Sequence, residues 1–400
     1  MNSRQRMDIA MHLGTPDRVP VMCQLALGHY FLNTGLDPIE IWHSTEGFSE
    51  ALIMLQQRYG FDGILINLPG RDPNWRKHVR RVEENGEEKV ITWSNGWTTV
   101  FPSDDLPHVY RDDGSKYAPA FDEIDPDRLF YVEPYDISGI KFPYYWGFKN
   151  EPSPLGRDFF PPWQHDTLKY VLARVGNEVS VHAEIFSPFS QFMELLDYTN
   201  GLMALMDDPG KVKACLDALA EGAIELGCAD AAAGAHAVLI SSAFAGGGFM
   251  SRQHYSEFVL PYECKVIAGI KGRYPKLPIY THTCGAIGDR LDLMEQTGTN
   301  GIDTLDPAPL GNVELAEAKR QIAGRMFIKG NIDAVNTLLL GSPADALNAA
   351  RERIEVAGPG GGYILSTACS VAPAAPPENI VKLREAVELY GKYPIAVVAL

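Results

Sequence analysis

The sequence predicts an α/β protein of the (β/α)8 TIM-barrel class, and three observations carry that prediction. Eight short apolar runs, near residues 19, 63, 180, 237, 278, 302, 326 and 363, have the length and β-forming content of buried strands. Stretches with helical spacing of apolar residues alternate with them, which is the pattern of a parallel βα repeat. The competing architecture, a doubly wound open sheet, would carry a G-x-G-x-x-G turn after its first strand, and none stands there.

Arg18-Val-Pro-Val-Met22 follows a short N-terminal helix and reads as the first strand. A helix over about 39–59 stops at Gly60, the usual residue for a C-terminal stop, and Phe61-Asp-Gly-Ile-Leu-Ile66 is the second strand. The repeat then halts. From residue 69 to about 165 the chain is rich in Trp, Tyr, Pro and Asp without sustained helical periodicity. A structureless loop of that length does not suit a compact domain, so the sequence predicts an inserted, lid-like subdomain over 69–165. Within it, the segment 89–101 predicts a β-hairpin turning at Asn95-Gly96. Its aromatic residues (Trp93, Trp97, Tyr110, Phe130, Tyr131, Tyr144, Tyr145, Trp146) either line a substrate lid or, for most of them, form the insert's own small core.

The repeat resumes with a helix over 167–175 and the strand Val179-Ser-Val-His-Ala-Glu-Ile185. Helices near 191–206 and 209–233 lead to Ala237-Val-Leu-Ile240. A loop with Gly246-Gly-Gly248 and a helix near 253–273 follow. That loop lacks the Lys-Ser/Thr partner of a phosphate cradle and reads as a plain loop. Pro278-Ile-Tyr-Thr-His-Thr-Cys-Gly285 is the fifth strand, Ile302-Asp-Thr-Leu305 the sixth, Met326-Phe-Ile328 the seventh and Tyr363-Ile-Leu-Ser366 the eighth. A helix over 377–390 ends a single barrel that takes in residues 1–400.

Composition narrows the function. The chain has 400 residues, 46% of them hydrophobic, and a net charge of −16. Such an acidic chain does not favour phosphate backbones or anionic membranes, so neither nucleic acid nor a membrane is an expected partner. No apolar run approaches spanning length, and the N-terminal Met-Asn-Ser-Arg-Gln-Arg-Met-Asp lacks an apolar signal core, which predicts a cytoplasmic protein. Homo-oligomerisation stays open. The six cysteines include no C-x-x-C pair, so they are single buried thiols or metal ligands.

In a barrel of this kind the active site lies at the C-terminal ends of the strands. His282 and Cys284 end the fifth strand two residues apart, so in extended chain their side chains point the same way. Cys369 lies just past the eighth strand, Glu184 near the end of the third, Asp306 after the sixth, and Asn331 and Asp333 after the seventh. An isolated H-x-C is ordinarily a buried thiol beside a hydrogen-bonded histidine. With a second thiol on the same rim, one imidazole and two thiolates form the soft donor set that Zn²⁺ prefers, with a fourth position left open. Glu184 is either a resting zinc ligand or general acid/base, or a structural carboxylate bonded to backbone amides. Cys23, Cys215, Cys228 and Cys264 fall elsewhere and read as core thiols.

Asp17-Arg-Val-Pro-Val21, Ser187-Pro-Phe189, Glu257-Phe-Val-Leu-Pro-Tyr262, His282-Thr-Cys-Gly285, Lys329-Gly-Asn-Ile-Asp333 and Cys369 followed by Pro376-Pro-Glu-Asn379 occur in that order. Together they resemble the uroporphyrinogen decarboxylase superfamily, and within it the zinc-dependent corrinoid (cobalamin) methyltransferase branch. The resemblance implies a barrel, with His282, Cys284 and Cys369 at the zinc-ligand positions and a corrinoid supplied in trans by a partner protein. It also shows departures. The Arg-Gln-Ala-Gly-Arg segment whose arginines hold porphyrin carboxylates corresponds here to Cys23-Gln-Leu-Ala-Leu-Gly28, without either arginine. The catalytic Asp position at the end of the second strand corresponds to Asn67. A site without those cations cannot neutralise an acidic tetrapyrrole, so uroporphyrinogen decarboxylation is disfavoured. The expected activity is methyl transfer between a small methylated substrate, such as a methoxylated aromatic, and the partner's corrinoid, with Glu184 and His282 in the catalytic centre. The reverse transfer, from corrinoid to a thiol such as coenzyme M, and a non-catalytic corrinoid- or metal-binding barrel are the alternatives.

Overall fold

The computed structural model describes residues 1–86, 88–110, 119–132 and 159–396. In chain order the first elements are α1 (Ser3–Met11), α2 (Leu27–Thr34), α3 (Pro38–His43), α4 (Thr45–Tyr59) and β1 (Gly63–Ile66). Four strands follow, β2 (Val79–Asn85), β3 (Glu88–Trp93), β4 (Thr98–Phe101) and β5 (His108–Tyr110), paired antiparallel in that order. Helix α5 (Asp166–Val175) leads back to β6 (Ser180–Phe186), α6 (Pro188–Leu196), α7 (Tyr198–Asp207), α8 (Pro209–Ala233) and β7 (Ala237–Ser241). Then come α9 (Arg252–Phe258), α10 (Leu260–Arg273), β8 (Ile279–Thr283), α11 (Leu291–Gln296) and β9 (Gly301–Thr304). The chain ends with α12 (Leu315–Ile322), β10 (Phe327–Ile332), α13 (Pro343–Ala357), β11 (Tyr363–Thr367) and α14 (Pro377–Leu389).

Seven strands form one curled parallel sheet in the order β1-β6-β7-β8-β9-β10-β11, a TIM-like α/β arrangement. The segment expected as the first strand makes isolated bridges instead of a continuous ladder. Val21 pairs with Leu365 and Leu25 with Val371, both parallel. The physical reason is local. Pro20 has no N–H to donate, and the N–H of Val21 goes to the Asp62 carboxylate at 2.8 Å. The segment nevertheless touches both sheet edges: Met22 N–H donates to Leu365 O, and Asp62 N–H donates to Val21 O.

Asp62, fully buried, ties this junction together. Its carboxylate accepts hydrogen bonds from Ser3 Oγ (2.7 Å), Arg6 Nη1 (2.7 Å), both terminal nitrogens of Arg18 (2.9 and 3.0 Å) and Val21 N–H. Helix α1 is thereby held to the sheet, and its Met7 and Met11 pack with Met22, Leu65, Leu239, Tyr280, Phe327 and Ile364 in one apolar cluster. Those strand residues face the interior, so the residues two positions further along each strand face it too.

Several helices expected as single units are broken. Ser44 is extended and caps α4 by accepting the Gly47 N–H, which separates α3 from α4. Asp197, at φ +62°, ends α6 and caps α7. Pro261 in the first turn of α10 separates it from α9.

The expected hairpin is β3–β4, closed by Trp93 N–H to Trp97 O at 2.8 Å with Gly96 at φ +91°. Its sheet packs on α3. The His43 ring lies 5.0 Å from Trp75, 5.0 Å from Trp93 and 5.7 Å from Phe101, and all belong to the main hydrophobic cluster or adjoin it. Phe130 and Tyr131 pack with Phe159 and Phe160 against α8. Trp75, Trp93, Phe101, Phe130, Tyr131, Phe159 and Phe160 therefore consolidate packing; Tyr144, Tyr145 and Trp146 lie outside the described residues. One loop of this region does reach the strand-end face. A Cβ on Gly28 would meet Asp104 O at 2.2 Å and Pro373 Cβ at 3.0 Å.

The Asp62 junction generates a prediction. Asp62→Ala leaves two buried arginines without their shared carboxylate, and removing one partner of such a buried pair costs about 3–5 kcal/mol. Urea unfolding should show a loss of that order; a midpoint equal to the wild type would mean that the junction does not stabilise the fold.

Candidate metal centre

The register of the sheet positions the centre. Ser241 of β7, His282 of β8 and Asp303 of β9 are consecutive partners across the ladder, so His282 sits beside Asp303 on the same face. Its Nδ1 lies 3.2 Å from Asp303 Oδ2, and both oxygens of Asp303 accept from Lys329 Nζ at 2.9 Å. All three side chains are buried. Nδ1–H donates to the carboxylate, so Nε2 is the nitrogen whose lone pair becomes available when the ring is neutral.

That nitrogen is 3.3 Å from Cys284 Sγ, and Cys284 Sγ is 3.5 Å from Cys369 Sγ. The three donor atoms lie within 4.8 Å of one another. Among the described residues they are the one group of three His, Cys, Asp or Glu side chains able to hold a metal ion together. Cys284 and Cys369 come from turns after β8 and β11, 85 residues apart, so only the curled sheet brings them together.

The turn carrying Cys284 is held in place by close backbone approaches. Gly285 adopts φ +79°, in the left-handed region that favours glycine, and its N–H donates to Asp306 Oδ2 at 2.6 Å. Gly246, in the loop after β7, lies so near that a Cβ there would stand 2.0 Å from Cys284 O.

By themselves these side chains concentrate one negative charge on sulfur. A hydrogen bond from Cys284 outweighs burial and, with His282, brings Cys369 down to about 4. The same contact, with burial, pushes Cys284 well above its ordinary value. Burial opposes charge on His282, but Asp303 and Cys369 together raise it to about 10. Asp303 stays below the usual carboxylate range despite burial, because Lys329 and His282 face it. The second thiol can ionise only with a further cation beside it. Two adjacent sulfurs and an oriented imidazole nitrogen fit a zinc ion in kind and in number, with room for a fourth ligand.

The remaining expected residues fall out as follows. Glu184 lies on β6, on the same inner face as His182, and is half-buried; it is not one of the three clustered donors. It borders a small cavity of about 30 Å³ with Asn67 and Gln164. Asp306 is occupied by Gly285, and burial raises it to about 6. Asp333 caps the helical turn after β10 by accepting Val335 and Asn336 N–H. Asn331 Nδ2 donates to Leu305 O at 2.8 Å. Cys23, Cys215 and Cys228 are buried, and Cys264 is half-exposed on α10. Sequence reasoning missed the Asp303–Lys329 pair as the support of His282. Its signal was available: two opposite charges inside short apolar strands are rarely buried unless paired. No described helix is long and apolar enough to cross a membrane.

Comparison with known proteins bears on this architecture. A 189-residue stretch is 31% identical to a uroporphyrinogen decarboxylase of Thioalkalivibrio sulfidiphilus, covering 47% of this chain and 51% of that protein. A 230-residue stretch is 26% identical to the methylcobamide:CoM methyltransferase MtbA of Methanosarcina acetivorans, covering 56% and 62%. A methylated-thiol–coenzyme M methyltransferase of Methanosarcina mazei is 27% identical over 194 residues, covering 48% and 49%. The chain thus spans about half to three-fifths of the length of these relatives. Among solved structures, a methyltransferase from Methanosarcina mazei superposes with a TM-score of 0.70 at 18% identity, over 98% of this chain and 99% of that one, and shares the fold. The family model for uroporphyrinogen decarboxylase (URO-D) matches residues 158–390, from before β6 to the end of α14 and through all three candidate ligands. That span is more than half of the sequence, and the chain belongs to the uroporphyrinogen decarboxylase family.

Proposed function

We propose that the protein is a zinc-dependent methyltransferase that moves a methyl group between a small methylated substrate and the corrinoid of a partner protein. The observation that carries this reading is the convergence of His282 Nε2 and the sulfurs of Cys284 and Cys369 within 4.8 Å at the strand ends. A zinc ion held there would act as a Lewis acid on the ether oxygen or the sulfur from which methyl leaves or to which it is added.

The protein's own residues prepare that chemistry. Asp303 fixes the imidazole tautomer, so the ligand nitrogen is always Nε2. Lys329 keeps Asp303 ionised and prevents it from competing as a ligand. Cys284 and Cys369 are half-exposed, which leaves the metal side of the cluster accessible from the strand-end face. Glu184, on the inner face, is the candidate to deliver or remove the proton that an ether oxygen requires. The corrinoid's carrier must reach the same face. The loop at Asp104, against Gly28 and Pro373, is positioned to cover part of it and exclude water.

Demethylation of a methoxylated compound is one direction of this chemistry. Transfer from the corrinoid to a thiol is the second reading, favoured by the names of two relatives as coenzyme M methyltransferases. Both use the same three ligands. Porphyrin decarboxylation would need the two arginines after the first strand, where Cys23-Gln-Leu-Ala-Leu-Gly28 stands, and the aspartate at the end of the second, where Asn67 stands.

Two outcomes are expected. Elemental analysis of the purified protein should find one zinc per chain, and Asp303→Asn should weaken zinc binding about 10–100-fold in competition with a chromophoric chelator. Affinity unchanged by that substitution would remove Asp303 from the proposed role. Mixing the enzyme with a reduced corrinoid protein and candidate methylated donors should change the cobalt absorbance, and His282→Ala should abolish the change. Full transfer by zinc-free His282→Ala protein would mean that the metal is structural; no transfer by the wild-type protein with any donor or thiol would leave a non-catalytic binding barrel.

A further inference from the structure

Cys284 Sγ and Cys369 Sγ are in direct contact at 3.5 Å. A disulfide bond is about 2.0 Å long, so a sulfur movement of about 1.5 Å would join them. Rotation of the two side chains has to supply that movement, because the main chain on both sides is held. On the Cys284 side, Gly285 N–H donates to Asp306 and Gly246 packs against Cys284 O. On the Cys369 side, Ala368 N–H donates to Ile332 O at 2.7 Å and Val371 N–H to Gln24 O at 2.8 Å. Backbone contacts made by two separate turns thus keep the sulfurs beside one another.

Among the described residues no other two cysteine sulfurs are in contact. Cys23, Cys215 and Cys228 are buried, and the half-exposed Cys264 directs its Sγ to Gln296 O at 3.5 Å. Cys284 and Cys369 are both half-exposed. A small oxidant that enters from the strand-end face therefore meets a pair of sulfurs. Once one of them is oxidised, the other is already within reach to resolve it.

We propose that the centre is also a redox switch, in which a peroxide joins Cys284 and Cys369 in a disulfide and the zinc ion is released. In the first step one sulfur attacks a peroxide oxygen. The O–O bond breaks, a sulfenic acid forms, and hydroxide leaves and is protonated to water. In the second step the other sulfur attacks the sulfenic sulfur. The S–S bond forms, the S–O bond breaks, and a second hydroxide leaves and takes a proton. The two sulfurs lose two electrons in all, and the two peroxide oxygens gain them. Two of the three candidate ligands are then consumed, and His282 alone does not retain zinc. A dithiol reverses the bond by exchange and restores the donor set. The inference rests on the zinc reading above and adds its regulation: oxidants that consume the reduced corrinoid would also empty the metal site that serves it.

The test treats reduced, zinc-loaded protein with a small molar excess of hydrogen peroxide. Three quantities are followed: zinc passed to a chromophoric chelator, free thiols, and the masses of peptides from a digest made without reductant. The expected result is loss of one zinc per chain together with two of the six thiols. The digest should contain a peptide pair linking Cys284 to Cys369, lighter by two hydrogens than its separate parts. A dithiol followed by added zinc should restore both counts, and Cys264→Ala should respond as the wild type does. Zinc retained while thiols are lost, or zinc released with Cys284 and Cys369 unlinked, overturns the switch and leaves the zinc reading intact. Reduced protein that binds no zinc overturns the zinc reading, and the switch with it, even where the cross-link forms.

Discussion

A lysine ammonium buried inside the sheet sets the terms for everything at the strand ends. Lys329 is 1% exposed, and an unpaired ammonium buried in that position would be costly. Asp303 stands on the neighbouring strand and meets it with both oxygens. Once so held, the carboxylate cannot turn towards the mouth, and the edge it presents to β8 is fixed. His282 completes that edge, so its ring plane, tautomer and free nitrogen follow from an ion pair that never touches substrate. A substitution at Lys329 would thus act on the candidate metal site through two residues.

The same economy appears in the layering of the interior. Met22, Leu65, Leu239, Tyr280, Phe327 and Ile364 form an apolar layer, sealed from the N-terminal side by Met7 and Met11 of α1. Two residues further along the strands the inward positions become Gln24, Asn67, Ser241, His282 and Lys329. The change from packing to chemistry takes a single step of the strand period. The N-terminal side carries the structural ion network at Asp62, while the opposite side carries the metal donors. This division of stability from function between the two ends is general to barrels of this class.

What the sequence made legible was whatever depends on local periodicity. The seven sheet strands, the parity of His282 and Cys284 and the position of Cys369 just beyond a strand end all follow from short apolar runs and their ends. The hairpin at Asn95-Gly96 was legible for the same reason. What depends on partners far along the chain was not. The Asp303–Lys329 pair joins residues 26 apart on two strands, and only the ladder register shows that they meet. The aromatic residues near Trp93 suggested a lid or a separate small core, yet they close around His43 on α3. The first strand looked as regular as the others, but Pro20 and the demand of Asp62 for the Val21 N–H reduce it to bridges.

The two cysteines close the electrostatic argument. At 3.5 Å apart they cannot both carry a full negative charge in a partly buried site, and the protein alone lets Cys369 ionise while Cys284 keeps its proton. A dication would change this balance: two thiolates and two positive charges would cancel, the Cys284 proton would be released, and His282 would return to the neutral form that can donate a lone pair. The Asp303–Lys329 pair is already neutral as a unit. A centre so loaded would supply Lewis acidity without a net charge of its own. Under the zinc reading, the three candidate ligands and the ion pair behind His282 would together set which bond can be made or broken.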